Sequence, residues 1–209
     1  MIPSMHPDLF SNTNTCINID IPDGKLRLYP HFFEQEEANK YFKLLLKNIQ
    51  WKQEKVFLYG KEHDVPRLSA WYGDEGKSYE YSGVLAKAIP WNQPLLTIKE
   101  RIEAVSNEQF NSVLVNQYRD GSDGVAWHSD DEPELGADPI IASVSFGEER
   151  QFQLKHKKQK QLTKSLILPH GSLLLMGEKT QLNWLHQIPK SQRSLSTRIN
   201  LTFRLVNNL

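Results

Sequence analysis

The sequence predicts an α+β protein that is mainly β, either a sandwich or a jelly-roll barrel with two packed helices. A series of short apolar strands follows residue 112, separated by Gly, Pro and Asp turn residues, which is typical of both folds. Two amphipathic helical patterns precede these strands. The candidate strands are Val113–Tyr118, Ile140–Phe146, Gln151–Lys155, Ser165–Leu168, Ser172–Met176 and Ser196–Val206.

The first half of the chain supplies the helices. Residues 1–24 are rich in Pro, Asn, Thr and Asp without periodicity, which predicts a loosely ordered N-terminal arm followed by a strand over Lys25–Tyr29. Apolar residues spaced by three and four predict an amphipathic helix over residues 34–49. A second helix is expected over Gln93–Val105, with Pro94 near its start, where a missing N–H is harmless.

The segment over residues 51–82 predicts short strands and turns. Phe57-Leu58-Tyr59 runs into Gly60-Lys61, which predicts a hairpin tip, and Pro66-Arg67 is expected to punctuate the next strand. Bulky apolar residues are unusual on the exposed turn of a soluble protein, and contiguous exposed apolar surface marks an interaction site.

The composition indicates one soluble globular domain. The chain has 209 residues, 39% hydrophobic and 24% charged, and contains no apolar run long enough to cross a membrane. No signal peptide is evident and Cys16 is the single cysteine, so we expect a cytoplasmic protein, or a nuclear one in a eukaryote. The formal net charge is zero, so any basic surface for nucleic acid must be local.

A histidine and an aspartate follow the strand Val113–Tyr118. His128 and Asp130 are two positions apart, so in an extended chain both side chains face the same way. Together they make two thirds of the 2-His-1-carboxylate triad that binds non-haem Fe(II). The tripeptide alone favours a surface histidine beside an acid, because His6-Pro7-Asp8 has the same spacing without other support. His186, ahead of the last strand, is the candidate third ligand.

The last predicted strand alternates polar and apolar residues, which places its polar side chains on one face. In an open sandwich that face would be solvent, whereas in a barrel it would line the lumen. Two guanidinium groups on an inward face need anionic partners, because an unpaired buried charge is costly. A dicarboxylate suits them, since arginine binds carboxylates in bidentate fashion. The polar positions are Arg198, Asn200, Thr202 and Arg204.

Six ordered motifs carry a family resemblance. They are Asn116-Gln-Tyr118, Asp120-Gly121 leading into His128-Ser-Asp130-Asp131-Glu132, Ile141-Ala-Ser-Val-Ser-Phe-Gly147, His170-Gly-Ser-Leu-Leu-Leu-Met176, His186, and Arg198-Ile-Asn200-Leu-Thr-Phe-Arg204. Over roughly residues 55–206 the chain thereby resembles the AlkB family of Fe(II)- and 2-oxoglutarate-dependent dealkylases. The resemblance is closest to the branch that repairs duplex DNA, through Pro66-Arg67, Tyr72-Gly73-Asp74 and Tyr79-Glu-Tyr81-Ser82-Gly83.

The resemblance implies a double-stranded β-helix (jelly roll) with buttressing helices. Residues 25–209 would form one dioxygenase domain, with a nucleotide-recognition region at about 51–83 and a jelly-roll core at about 112–206. It also implies that Fe(II) binds His128, Asp130 and His186, with 2-oxoglutarate and O2 as co-substrates. The implied 2-oxoglutarate contacts are Asn116, Tyr118, Arg198 at the distal carboxylate, Asn200, and Arg204 near the metal.

The resemblance further implies oxidative demethylation of N1-methyladenine and N3-methylcytosine in DNA, with release of formaldehyde, succinate and CO2. These lesions lie on the Watson–Crick edge, so the base must leave the stack. We expect Tyr81, next to Ser82, to stack on the flipped base. Asp131 and Glu132 are expected to meet the exocyclic amine or the positive charge of that base.

The hairpin tip supplies a hypothesis for base extrusion, because architectural DNA-binding proteins insert apolar wedges between base steps. Tyr59, with Leu58 second, would fill the gap left by the flipped base, while Lys61 and Arg67 contact phosphate. In the alternative, these apolar side chains pack on the helix of residues 34–49. The basic run over residues 155–160 is either a phosphate-contact patch or a solvated loop.

Other functions stay open on the sequence alone. An AlkB-type dioxygenase acting on RNA or on a protein side chain is one, and the zero net charge is compatible with it. A non-enzymatic, metal-holding jelly-roll module is another, although a structural metal needs no clamp such as Arg198 and Arg204. The expected partner is alkylated DNA as a duplex, with single-stranded DNA or RNA as alternatives. We expect a monomer that does not associate with membranes.

Overall fold

The computed structural model describes residues 15–58, 60–75, 78–81 and 84–207. Its helical segments are α1 (Gln35–Asn48), α2 (Gln93–Ser106), a 3-10 turn (Pro133–Leu135) and α3 (Thr180–Asn183). Its strands are β1 (Ile17–Ile21), β2 (Gly24–Tyr29), β3 (Lys52–Leu58), β4 (Lys61–Gly73), β5 (Ser78–Tyr81), β6 (Val84–Lys87), β7 (Ile89–Pro90), β8 (Ser112–Tyr118), β9 (Val125–His128), β10 (Ile141–Gly147), β11 (Arg150–His156), β12 (Thr163–Leu168), β13 (Ser172–Gly177), β14 (Trp184–Ile188) and β15 (Arg198–Arg204).

Two antiparallel sheets form the body of the described chain. The large sheet has the order β1-β2-β13-β10-β15-β8-β4-β3, with β7 parallel to β4, and the small sheet has the order β12-β11-β14-β9. Apolar side chains from both sheets share one buried cluster, among them Leu26, Leu174, Phe152 and Trp184. The mainly β jelly roll expected from the sequence is therefore confirmed.

The two long helices buttress the outer face of the large sheet. Leu45 of α1 and Ile98 of α2 lie in a second buried cluster with Val144 and Leu201 of the sheet. Helix α2 begins at the cap Asn92, whose side chain accepts a hydrogen bond from the Leu95 N–H at 3.1 Å. The large sheet thus has a packed outer face, and its inner face is available to the lumen.

The predicted strands from residue 112 onward are all present, with ends that shift by one or two residues. The prediction of a loosely ordered arm over residues 1–24 is wrong in its second part, because the strand β1 lies within it. Strand β1 pairs with β2 from Ile17 to Ile21, and Ile21 is only 8% exposed. Ile21 and the partly buried Ile19 pack against the core and dock this edge strand. Residues 1–14 lie outside the described residues.

The expectation that Pro66-Arg67 punctuates a strand is also wrong, because β4 runs unbroken from Lys61 to Gly73. Proline cannot donate to a sheet ladder. The neighbouring β3 accommodates it with a shift in pairing register between Gln53 and Lys55, and the Gln53 side chain donates to the Val65 carbonyl at 2.7 Å. The hairpin therefore continues past the proline.

None of the described helices combines the length and apolar content that a membrane crossing requires.

Candidate active site

Three potential metal ligands converge beside the β14–β9 strand pair, at the edge of the small sheet. His128 ends β9 and lies directly opposite His186 of β14, with the ring centroids 4.3 Å apart. Strand β9 stops at His128, and Asp130 follows in a bend that turns its carboxylate toward both rings. One possible ligand atom from each residue lies within 4.8 Å of the others. Two imidazoles and one carboxylate at this spacing suit a non-haem Fe(II) ion.

The protonation states of this cluster favour metal binding. Burial raises the pKa of Asp130, but the charges of Arg204, His186 and His128 outweigh burial and hold it at about 2. Burial, with the neighbouring His128, lowers the pKa of His186 to about 3. At neutral pH the cluster thus presents an ionised carboxylate and a neutral imidazole, which are the metal-binding forms.

Hydrogen bonds orient two of these ligands. His128 Nδ1 lies 2.8 Å from the Ala126 carbonyl oxygen, which can only accept, so the proton is on Nδ1 and Nε2 is left for the metal. Arg204 Nη2 donates to Asp130 Oδ1. Because this contact joins the last residue of β15 to the metal cluster, Arg204 lies at the metal end of the lumen. That position agrees with the expected order of the two arginines.

The inner face of β15 bears an arginine that lacks an anion. Arg198 is 1% exposed, and its Nη2 donates to Ser145 Oγ and Asn200 Oδ1, both at 2.9 Å. Its Nε and Nη1 are buried and have no hydrogen-bond partner among the described residues. Burial lowers the pKa of Arg198 to about 10, so it remains charged at neutral pH. A buried cation whose Nε and Nη1 still have N–H groups to donate fits a carboxylate such as that of 2-oxoglutarate.

The other predicted 2-oxoglutarate contacts surround this cation. Tyr118 of β8 has its ring 5.1 Å from the Arg198 guanidinium carbon. Asn116 lies opposite Asn200 in the β8–β15 pair, and Asn200 also accepts a hydrogen bond from Ser143 Oγ at 2.9 Å. All eight side chains predicted for iron and 2-oxoglutarate line one cavity. The polar face of β15 therefore lines a lumen, which was one of the two interpretations.

Arg67 is in this cavity too, which makes its predicted phosphate contact wrong. It is 7% exposed, and its Nε donates to Asn116 Oδ1 at 3.0 Å. The unbroken course of β4 carries Arg67 away from the hairpin tip and turns it inward. Arg67 instead holds the Asn116 amide.

Residues that no sequence pattern indicated support the cluster. Arg150 is 3% exposed and donates to three carbonyl oxygens, those of Asp120, Asp123 and Pro189, at 2.8–3.1 Å. It joins the turns that precede β9 and follow β14. Gln181 of α3 is 1% exposed, and its Oε1 accepts from the Asp130 N–H at 3.0 Å. Both contacts are long-range, so a local pattern could not reveal them.

The two glycines before β9 are required by close packing of the backbone. Neither Gly121 nor Gly124 has a positive φ. A Cβ on Gly121 would lie 2.6 Å from the Ser191 carbonyl oxygen, and one on Gly124 would lie 2.7 Å from that of Ile188. Close backbone approach requires these glycines.

The predicted substrate contacts are only partly described. Tyr59 and Ser82 lie outside the described residues, and so does the side chain of Tyr81. The Asp131 carboxylate is paired with Lys157, whose Nζ lies 2.8 Å from Oδ2. Glu132 Oε2 is buried and has no hydrogen-bond partner among the described residues.

Comparison with known proteins decides the family. The profile of the 2OG-Fe(II) oxygenase superfamily matches residues 25–204. Alpha-ketoglutarate-dependent dioxygenase alkB homolog 3 of Mus musculus is 42% identical over 196 residues, which cover 88% of this chain and 68% of that protein. The chain belongs to the AlkB family of Fe(II)- and 2-oxoglutarate-dependent dioxygenases. It is thus an enzyme, and the alternative of a non-enzymatic binding module is excluded.

This AlkB-family enzyme is also similar to a second relative in sequence and to a solved structure in fold. DNA oxidative demethylase ALKBH2 of Mus musculus is 40% identical over 188 residues, covering 85% of this chain and 79% of that protein. The solved structure of OsALKBH1 superposes with a TM-score of 0.61 over 90% of this chain and 100% of that chain. At 16% sequence identity it shows that the fold is shared.

The geometry divides the work of this AlkB-family enzyme among its residues. Fe(II), when bound, would activate O2 for the oxidation of 2-oxoglutarate and of the substrate. His128, Asp130 and His186 would supply the three protein ligands to this metal. Arg198 would fix the far end of 2-oxoglutarate, while Arg204 keeps the Asp130 carboxylate oriented. Leu114, Phe152 and Ile188 supply apolar side chains to the wall of the cavity.

Proposed function

We propose that this AlkB-family dioxygenase demethylates N1-methyladenine and N3-methylcytosine in DNA, and so repairs alkylation damage, releasing formaldehyde, succinate and CO2. The relatives named alkB homolog 3 and DNA oxidative demethylase support a nucleic-acid substrate. A monomer in the cytoplasm, or in the nucleus of a eukaryote, fits this role. The observation that carries the proposal is the difference in polar partners between Asp131 and Glu132, the two acids that follow Asp130.

The two acids differ in whether a polar partner already satisfies them. Lys157 neutralises Asp131, whereas Glu132 has a buried oxygen without a hydrogen-bond partner among the described residues. A buried acceptor of this kind is costly unless a ligand satisfies it. N1-methyladenine and N3-methylcytosine both offer a positive charge and an exocyclic amine. Glu132 is therefore the acid that recognises the base.

Glu132→Gln should lower kcat/KM on methylated oligonucleotides by roughly 10- to 100-fold, since a hydrogen bond to a charged group contributes about 1.5–3 kcal/mol. Succinate formation without an oligonucleotide should stay at the wild-type rate. The matched control is Asp131→Asn, which loses an exposed ion pair and should change kcat/KM by less than about threefold. Formaldehyde release measures both. A larger loss in Asp131→Asn than in Glu132→Gln would assign recognition to the wrong acid.

The hairpin of β3 and β4 supports a duplex substrate. Pairing continues to Leu58 and Lys61, and Gly60 has a φ of +77°. Phe57, beside the tip, is 70% exposed, so the alternative in which it packs on α1 is wrong. Exposed apolar surface at the end of a long ribbon suits a wedge between base pairs. Tyr59 remains the proposed wedge, with Lys61 at phosphate.

Tyr59→Ala should slow repair in duplex DNA by about tenfold and leave an unpaired strand repaired at the wild-type rate. The reason is that stacking of an aromatic side chain on a base contributes roughly 1–3 kcal/mol, and only a duplex has a gap to fill. Rates of formaldehyde release on matched duplex and single strands measure the effect, with Phe57→Ala in parallel. Equal slowing on both substrates would show that Tyr59 packs within the protein.

The substrate class is tested by incubating the enzyme with a mixed panel of methylated DNA and RNA oligonucleotides and following loss of the methyl group by mass spectrometry. Loss from methylated DNA supports the proposal. Loss from RNA alone would replace it with the RNA alternative.

In the basic run over residues 155–160, Lys155 lies over the Trp127 ring at 4.3 Å and Lys157 is paired with Asp131. Phosphate contacts there are thus left to the exposed Lys158 and Lys160.

A further inference from the structure

The candidate metal carboxylate is held at its backbone as well as at its side chain. Arg204 contacts the Asp130 carboxylate, while Gln181 Oε1 accepts a hydrogen bond from the Asp130 N–H at 3.0 Å. Asp130 and Gln181 are 2% and 1% exposed, so water does not replace this bond. Because β9 ends at His128, no sheet ladder pairs with the Asp130 amide. The Gln181 side chain takes the place of a neighbouring strand.

The short helix α3 that carries Gln181 is anchored on both sides. The Lys25 N–H donates to Thr180 Oγ1 at 3.0 Å, and Asn183 Nδ2 donates to the Asp23 carbonyl at 3.0 Å. Its entry passes through Glu178 and Lys179, which have φ of +43° and +65°. Two successive non-glycine residues in this left-handed region are costly and persist only where the surrounding structure enforces them. The fold thus fixes the orientation of Gln181.

The same helix also contacts the residue after Asp130. Lys157 Nζ donates to the Gln181 carbonyl and to Asp131 Oδ2, both at 2.8 Å. Lys157 therefore links α3 to the exposed Asp131, while the buried link from α3 to Asp130 runs through the Gln181 side chain.

We propose that Gln181 is a positioning residue of the metal centre, which sets the carboxylate of Asp130 through the Asp130 amide. The two imidazoles sit on paired strands, but the carboxylate sits on a bend and needs an external support. Partners that orient a metal ligand typically change metal affinity by 10- to 100-fold when they are lost. This role concerns the metal centre alone, whatever nucleic acid the enzyme repairs.

Two variants distinguish positioning from simple filling of space. Gln181→Met keeps the length and apolar packing but removes the acceptor, whereas Gln181→Glu keeps an acceptor oxygen. If Gln181 only fills space beside Met176, which its Nε2 approaches to 3.7 Å, then Met is the benign change and Glu the damaging one. A positioning role predicts the opposite order.

The readout is the dissociation constant of Mn(II), measured by titration calorimetry on the full chain with 2-oxoglutarate present. Mn(II) suits the same nitrogen and oxygen donors without redox chemistry. We expect Gln181→Met to weaken Mn(II) binding by 10- to 100-fold and Gln181→Glu to bind within about threefold of wild type. Gln187→Met is the control, because Gln187 is on the less buried face of β14 and its side chain donates to Gln153.

The proposal fails if Gln181→Met binds Mn(II) within about threefold of wild type, or if Gln181→Glu is the weaker of the two. Melting temperatures without metal are recorded for each variant. Should Gln181→Met not fold, the decision rests on Gln181→Glu. Binding within about threefold of wild type supports the proposal, and weakening by more than tenfold overturns it.

Discussion

Alanine at any one of His128, Asp130 and His186 is expected to abolish nearly all turnover. The cluster has three protein donors within 4.8 Å of one another, and none of them can be replaced by a neighbour among the described residues. Asp130→Ala should be the most severe change for the protein itself, because it also removes the carboxylate that Arg204 contacts. Breaking a buried ion pair from one side strongly destabilises a fold.

Succinate formed from 2-oxoglutarate with added Fe(II) measures this loss, and Mn(II) titration measures metal binding independently of turnover. His31→Ala is a suitable control, since His31 is exposed and remote in sequence from the cluster. The control should match wild type in both assays. If Asp130→Ala formed succinate at the wild-type rate, the assignment of the three ligands would be wrong.

The parts of this centre that could be predicted from sequence are those with a local period. Alternation along β15 placed Arg198 and Arg204 on one face, and the structure buries both, at 1% and 5% exposure. The two-position spacing of His128 and Asp130 indicated convergence, although the strand stops at His128 and a bend completes it. Local periodicity is enough for such residues because their relative direction is set within a few peptide units.

The parts that sequence could not predict depend on distant segments. Gln181 and Arg150 act on residues more than twenty positions away, and both are in stretches without any unusual pattern. Arg67 was misplaced because Pro66 suggests a turn, whereas the register shift in β3 allows the strand to continue. Whether a strand continues through a proline depends on the strand that pairs with it, and a short stretch of sequence does not reveal which strand that is.

Arg198→Ala should raise the KM for 2-oxoglutarate by about thirtyfold or more, while the protein stays folded. Loss of one side of a buried, charge-assisted pair costs on the order of 2–5 kcal/mol of binding. The folded state should tolerate the change in the absence of 2-oxoglutarate, because the buried guanidinium has no carboxylate partner among the described residues. Steady-state succinate formation at varied 2-oxoglutarate gives the KM, and a thermal melt reports folding.

Arg198→Lys separates charge from geometry in this prediction. Lysine keeps the cation but lacks the planar fork that binds a carboxylate through two parallel N–H groups, so its KM should fall between those of wild type and Arg198→Ala. Arg193→Ala, on the exposed segment before β15, is the matched control and should leave the KM unchanged. Mn(II) binding without 2-oxoglutarate should be equal in all four proteins, because Arg198 lies away from the metal ligands. A wild-type KM in Arg198→Ala would mean that another cation of the cavity holds the distal carboxylate, and Arg67 would be the residue to test next.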